Sequence, residues 1–161
     1  MSKFISQFHS VGNISFMGMR DAAMSLLPTD RTESDKLYND LKRGKGILDD
    51  EPHLNMYLKS FGKMHKAKLD TAYNCLPETS SIFTKELEIY DWGCGQGIAT
   101  ICLLDFLKSK NIDYELLQIN LVEPSVPASE RAKEVIACFD ENIKVNVINK
   151  VFDDLEEETV F

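Results

Sequence analysis

Between Asp91 and Gly97 the chain reads Asp-Trp-Gly-Cys-Gly-Gln-Gly, and no other segment restricts the fold as much. Three glycines at alternate positions weaken both a helix and a strand, so the segment must be a tight turn that lets something approach the backbone closely. It is bracketed by a short apolar run, Leu87 to Tyr90, and by a run apolar on most of its surface, Ile98 to Leu107. A strand, a glycine turn and a helix in that order open a βα unit. The pattern continues with a strand from Leu116 to Val122, a helix from Ala128 to Phe139 entered through Ser125-Val126-Pro127, and a third strand from Ile143 to Ile148. The order β-α-β-α-β predicts an α/β fold on a parallel sheet with right-handed crossovers. Short, mostly apolar strands are expected where helices cover both faces of such a sheet.

Upstream the texture changes. Residues 1–80 carry polar, helix-like periodicity with few β-branched residues, and are expected to form a helical segment distinct from the sheet-forming residues 81–161. Met19 to Leu27 reads as a short helix stopped by Pro28, and Thr32 to Leu41 as a second, ended by Lys42-Arg43-Gly44-Lys45-Gly46. The longest helix runs from Glu51 or Pro52 to Leu76. Its apolar residues Leu54, Tyr57, Leu58, Phe61, Met64, Leu69, Ala72, Tyr73 and Leu76 keep a three-to-four spacing, and Pro77 ends it.

Composition narrows the class. The 161 residues are 43% apolar and 27% charged, enough for one domain with a buried core. The 26 acids against 18 bases, a net charge of −8, argue against general nucleic-acid coating. No apolar run approaches the ~18 residues of a membrane span, and Met1 to Ser10 lacks the basic and apolar regions of a secretory signal. Cys75, Cys94, Cys102 and Cys138 contain no CxxC pair, so neither a zinc site nor a disulfide framework is expected, and a cytoplasmic protein with free thiols is.

The point where a strand hands over to a helix is where an open α/β sheet binds its ligand. A dinucleotide fingerprint would place glycine or alanine at the sixth position, but counting from Gly93 gives Ile98 and from Gly95 gives Thr100. A carboxylate at Asp91 would also repel a pyrophosphate. A zwitterionic ligand with an ammonium group suits the loop better. The pattern Asp-x-Gly-x-Gly-x-Gly resembles the first motif of the class I, Rossmann-like S-adenosylmethionine-dependent methyltransferases. The resemblance implies that the loop cradles the methionine part of S-adenosyl-L-methionine. Asp91 would contact its amino end, and Gly93, Cys94, Gly95 and Gly97 would line the cofactor site.

Two further segments extend the resemblance. The second strand ends Leu121-Val122-Glu123, where the family places an acid that accepts from both ribose hydroxyls. Glu123 takes that role by resemblance, with Pro124 and Ser125 shaping the adenosine wall. A carboxylate suits a vicinal diol because each oxygen takes one hydroxyl. Gly97 and Glu123 lie 26 positions apart, more than the roughly 20 of dinucleotide folds, and the surplus falls in the polar stretch Lys108 to Glu115. After the third strand comes Asn149-Lys150-Val151-Phe152-Asp153-Asp154. The family often sets an acid there on the adenine amino group, which implies Asp153, with Asp154 or Asn149 as register alternatives.

The resemblance covers residues 87 to about 155 and implies the cofactor-binding portion of a methyltransferase, with S-adenosylhomocysteine as product. The methyl acceptor is left open between small molecule, RNA and protein, and no metal or membrane partner is expected. The helices before Pro77 would serve as a lid or acceptor-facing element. The resembled fold has seven strands, of which this sequence supplies three. A truncated domain is therefore expected, inactive alone, with catalytic residues beyond Phe161 and an exposed edge at the first strand open to oligomerisation. The alternative is a non-catalytic cofactor-binding or interaction module with a reduced Rossmann fold.

Other residues receive plainer readings. Cys94 sits near a helix N-terminus, which lowers a thiol's pKa, but no histidine lies near it in sequence and it reads as a small loop residue. Trp92, the only tryptophan, reads as packing behind the loop. Cys102 and Cys138 read as core, and His53 and His65 as surface. Residues 36–68 hold eight bases and four acids, whereas residues 112–161 hold four bases and twelve acids. The basic stretch reads first as a solvated helix face and second as a footprint for a polyanion such as RNA.

Overall fold

The described residues of a computed structural model, 2–76 and 86–155, form six α-helices and three strands. In chain order these are α1 (Lys3–Val11), α2 (Phe16–Ser25), α3 (Arg31–Asp40), α4 (Glu51–Asn74), β1 (Glu86–Trp92), α5 (Ile98–Ser109), β2 (Glu115–Val122), α6 (Val126–Phe139) and β3 (Lys144–Ile148). The strands pair in parallel in the order β1-β2-β3, with a bulge in β2 opposite Leu87 and Glu88. This is the partial Rossmann-like α/β fold expected from the sequence.

Each helix starts where a side chain can satisfy its free amides. Ser2, Ser15, Asp30, Asp50 and Ser125 each accept a hydrogen bond from a first-turn N–H. Helix α1 has no counterpart in the sequence reading. It begins on the Ser2 cap and stops at Gly12, whose φ is +69°. Helix α2 begins on Ser15, ahead of the expected Met19, because Phe16 belongs to the buried face. Strand β1 runs to Trp92 and so carries Asp91 inside the sheet.

One expectation is corrected by the sheet. Two right-handed crossovers that advance in the same direction put α5 and α6 on the same face. Ile89, Ile119, Leu121, Val145 and Val147 point into that face and join its core. Residues of the opposite face alternate with them. There Tyr90 and Trp92 are exposed, and Gln118 and Asn146 hydrogen-bond to Asn120. Among the described residues the helices cover one face rather than both. The same core takes in Phe4, Ile5 and Phe8 of α1, Phe16 and Met19 of α2, and Leu58 of α4.

Candidate functional site

Because β1 and β2 are parallel and paired to their last residues, Trp92 opposite Val122, the chain leaves both strands at one edge of the sheet. A cleft of about 640 Å³ opens there, within the ~300–1,000 Å³ range of small-ligand sites. It is lined by the segment from Asp91 to Gln96 together with Glu123 and Pro124, by the loop from Gly44 to Leu48, whose Leu48 carbonyl accepts from the Ser125 hydroxyl, and by Tyr57, His65, Lys68 and Leu69 of α4.

Asp91 is fixed by the start of α5. Its Oδ2 accepts from the Thr100 hydroxyl at 2.7 Å and from the Thr100 N–H at 3.3 Å. Gly97, in the N-cap position, has no side chain to offer, so Asp91 serves as the cap from the neighbouring strand. Burial raises the Asp91 carboxyl above its ordinary range, the Thr100 hydrogen bonds oppose that, and the nearby Glu123 charge adds to it. A cation entering beside Asp91 would relieve this.

The three glycines divide by function. Gly93 and Gly95 have φ of +63° and +51°, and a Cβ on either would meet nothing within 4 Å. Gly97 has φ +72°, and a Cβ there would lie 2.9 Å from the Ala132 Cβ on α6. The first two present bare backbone to the cleft; the third lets α5 and α6 approach.

Glu123 reaches across to the loop. Its Oε2 accepts from the Gly95 N–H at 2.9 Å and its Oε1 from the Ser125 N–H at 3.0 Å. Each oxygen keeps lone-pair capacity for a hydroxyl. Pro124 lines the cleft beside it. Cys94 is buried, and burial with the Asp91 and Glu123 charges pushes its thiol far up, so it is no nucleophile at neutral pH.

Asp91, Gly93, Cys94, Gly95, Glu123 and Pro124 therefore share one cleft, with Gly97 just behind it. Asp153 lies apart. It is exposed on a short 3₁₀ turn, Phe152–Asp154, outside the cleft lining. Its neighbour Phe152 meets the edge of Trp92 at 5.8 Å. Asn149 is engaged elsewhere, its amide donating to the Glu123 carbonyl at 3.0 Å and to Ser129 Oγ at 2.8 Å.

Four cleft or loop features escaped the sequence reading. Trp92 is 42% exposed, stacks on Tyr90 and lines the cleft mouth rather than packing behind the loop. His65 is half-buried on the cleft, its Nε2 3.0 Å from the Tyr57 hydroxyl and its ring stacked on Tyr57 at 5.8 Å. Tyr57, Phe61 and His65 follow one another at intervals of four, and that stripe was the available signal. Gln96, in the loop itself, donates to the Leu54 carbonyl at 2.9 Å and accepts from Arg131 at 3.0 Å. Arg131 is buried, also donates to Asn55, and lies 4.0 Å over the Phe4 ring.

No protein-family model matches the chain, and no curated protein matches it. Among the described residues no helix is long and apolar enough to cross a membrane.

Proposed function

We propose that this cleft binds S-adenosyl-L-methionine and that the chain is the cofactor-binding portion of a methyltransferase. One observation carries the reading. Asp91 and Glu123 leave adjacent parallel strands at one edge and flank a loop whose cleft-facing glycines offer bare backbone to the space between. The donor set suits the ligand's charges. Asp91, raised by burial, gains from an ammonium group. Glu123 has oxygens for a vicinal diol, and Lys45 and Lys68 in the cleft lining would take a carboxylate. Ile47, Leu48 and Pro124 supply apolar surface for a planar base.

The cofactor would bring a methyl group already activated by a sulfonium, so the chain's task is alignment and exclusion of water. Thr100 holds Asp91 in place, Glu123 holds Gly95, and the loop from Gly44 to Leu48 lines the cleft with them. The acceptor stays open between small molecule, RNA and protein.

Calorimetric titration with S-adenosylhomocysteine tests the reading, run beside an Asp91→Ala, Glu123→Ala double variant. Micromolar binding that the double variant loses is expected; a folded chain that binds nothing overturns the proposal. A second reading, an interaction module that binds no cofactor, draws on the two main-chain bonds of Glu123, which suffice to explain that residue as a brace. Under it, Glu123→Gln lowers thermal stability, and S-adenosylhomocysteine binds neither the variant nor the native chain. Under the proposed function, affinity falls about tenfold or more.

A further inference from the structure

Helix α4 lies along the cleft. Near its beginning, Tyr57 lines the cleft together with Glu123, and burial first, then the Glu123 charge, holds its phenol protonated. Near its end, Tyr73 donates to the Ala99 carbonyl at 2.9 Å, one residue before the Thr100 that holds Asp91. His65 sits between them and lines the cleft. A ligand with its ammonium at Asp91 and its ribose at Glu123 has its sulfur between those ends, so the middle of α4 faces the reacting centre.

We propose that Tyr57 and His65 together take the proton from the methyl acceptor, which is therefore an amine or hydroxyl that enters the cleft still carrying that proton. This rests on the cofactor reading above. With the Tyr57 hydroxyl donating to His65 Nε2, the phenol oxygen keeps lone pairs to accept the acceptor's N–H or O–H. As the bond from acceptor to methyl forms, the sulfur–methyl bond breaks and its electron pair returns to sulfur. The acceptor's proton passes to the Tyr57 oxygen, and the Tyr57 proton to Nε2. One positive charge leaves sulfur and one appears on imidazolium, which discharges to solvent.

The surroundings suit a neutral imidazole at rest. Burial and Lys68 both lower His65 from its ordinary value. The ionisable groups that line the cleft with it are Tyr57 and Lys68 on α4, Lys45 on the preceding loop, and Asp91, Cys94 and Glu123. Among the described residues Tyr57 is its hydrogen-bond partner.

Two NMR measurements on the native chain test this without an acceptor. Nitrogen-15 shifts of the three histidines, with His65 assigned by His65→Gln, report the tautomer. A bare Nε2 with the proton on Nδ1 is expected. A protonated Nε2 overturns the relay, because that nitrogen has no lone pair to receive a proton. The second measurement is the titration of His65 with saturating S-adenosylhomocysteine and then S-adenosylmethionine, which differ by the charged methyl. The sulfonium should depress the His65 pKa about half a unit or more below its value with the thioether. Equal His65 values with both, while calorimetry shows both bound, would place His65 away from the sulfur and sink the proposal. Absence of binding by either ligand overturns the cofactor reading itself, and this one with it.

Discussion

At the scale of single residues, the glycine loop separates fold from function. Gly97 needs both its positive φ and its missing Cβ, since any side chain there strikes Ala132. Gly97→Ala should therefore combine a left-handed-backbone penalty of ~1–2 kcal/mol with overpacking of ~1–3 kcal/mol. Gly93→Ala carries only the first cost, but it places a methyl group in the cleft. Urea unfolding of both variants, with titration of S-adenosylhomocysteine into each, should show Gly97→Ala as the less stable and Gly93→Ala as the weaker binder for its stability. Asp91 makes a prediction with two opposite signs. Its folded carboxyl is raised, so the native state keeps a proton that the unfolded chain has released. That stability is fully present below the ordinary carboxylate value near pH ~4 and is lost as pH rises through the raised one. Affinity for a ligand bearing an ammonium group moves the other way, strengthening over the same window as Asp91 ionises. Asp91→Asn keeps an oxygen for Thr100 and should flatten both slopes. Melting temperatures and calorimetric titrations from pH ~4 to ~7, wild type against variant, would show it. Parallel rather than opposed slopes would mean that Asp91 does not meet the cation.

At the scale of elements, what the sequence disclosed and what it withheld follow from the reach of the interactions. The strands, α5, α6 and the glycine turn were legible because each is written in a local pattern: a short apolar run, a three-to-four stripe, alternating glycines. Asp91 and Glu123, singled out through the resemblance, meet in one cleft because both stand at the ends of adjacent strands, a position that is local in the sequence. Helix α1 is written just as locally, with Phe4, Ile5, Phe8 and Val11 at three-to-four spacing between the Ser2 cap and Gly12, and is a local signal left unread. Only its docking on α6, where Glu134 accepts from Ser2 Oγ at 2.7 Å and Arg131 covers Phe4, is out of local reach. So is the brace on the loop, whose partners lie far away in sequence: Gln96 bonds Leu54 across 42 positions, and Arg131 bonds Asn55 across 76. Asp153 illustrates the converse. An acid after a strand is easily spotted, yet the 3₁₀ turn leaves it exposed and outside the cleft lining, beside the Phe152 that meets Trp92. Gln96→Ala should test the brace. It takes a second donor from the Leu54 carbonyl, which keeps its partner within α4, and strips one partner from a buried guanidinium, a loss of about 1–3 kcal/mol. Because Gln96 sits inside the ligand loop, ligand affinity should fall as well, although its side chain points toward α4 and α6. A variant that is destabilised but binds normally would show the loop to be held by Glu123 alone.

At the scale of the whole molecule, the N-terminal helices and the sheet are parts of one core. Phe4, Ile5 and Phe8 of α1 and Phe16 of α2 belong to the same buried cluster as Ile101 of α5, Ile119 of β2 and Val135 of α6. The cleft is likewise built from both parts, with α4 and the Gly44 to Leu48 loop lining it together with the glycine turn. Burial of a large apolar side chain is worth roughly 1.5–3 kcal/mol, so removing α1 forfeits about 5–9 kcal/mol from Phe4, Ile5 and Phe8 together. A domain's net stability is only about 5–15 kcal/mol, so a chain lacking residues 2–12 should fail to fold as a unit, rather than leave an intact sheet behind. The full chain should then unfold in one step. Trp92, the sole tryptophan, reports the cleft end of β1, while far-UV circular dichroism is dominated by the helices. The two urea curves should superpose, with one midpoint. If the fluorescence transition came at higher urea than the helical one, the sheet would be standing without α1 to α4. The wall carrying Tyr57 and His65 would then be a separately folding cover, and ligand should still bind the truncated chain, though more weakly. A single midpoint, with loss of binding on truncation, would instead make the helical wall a constituent of the site.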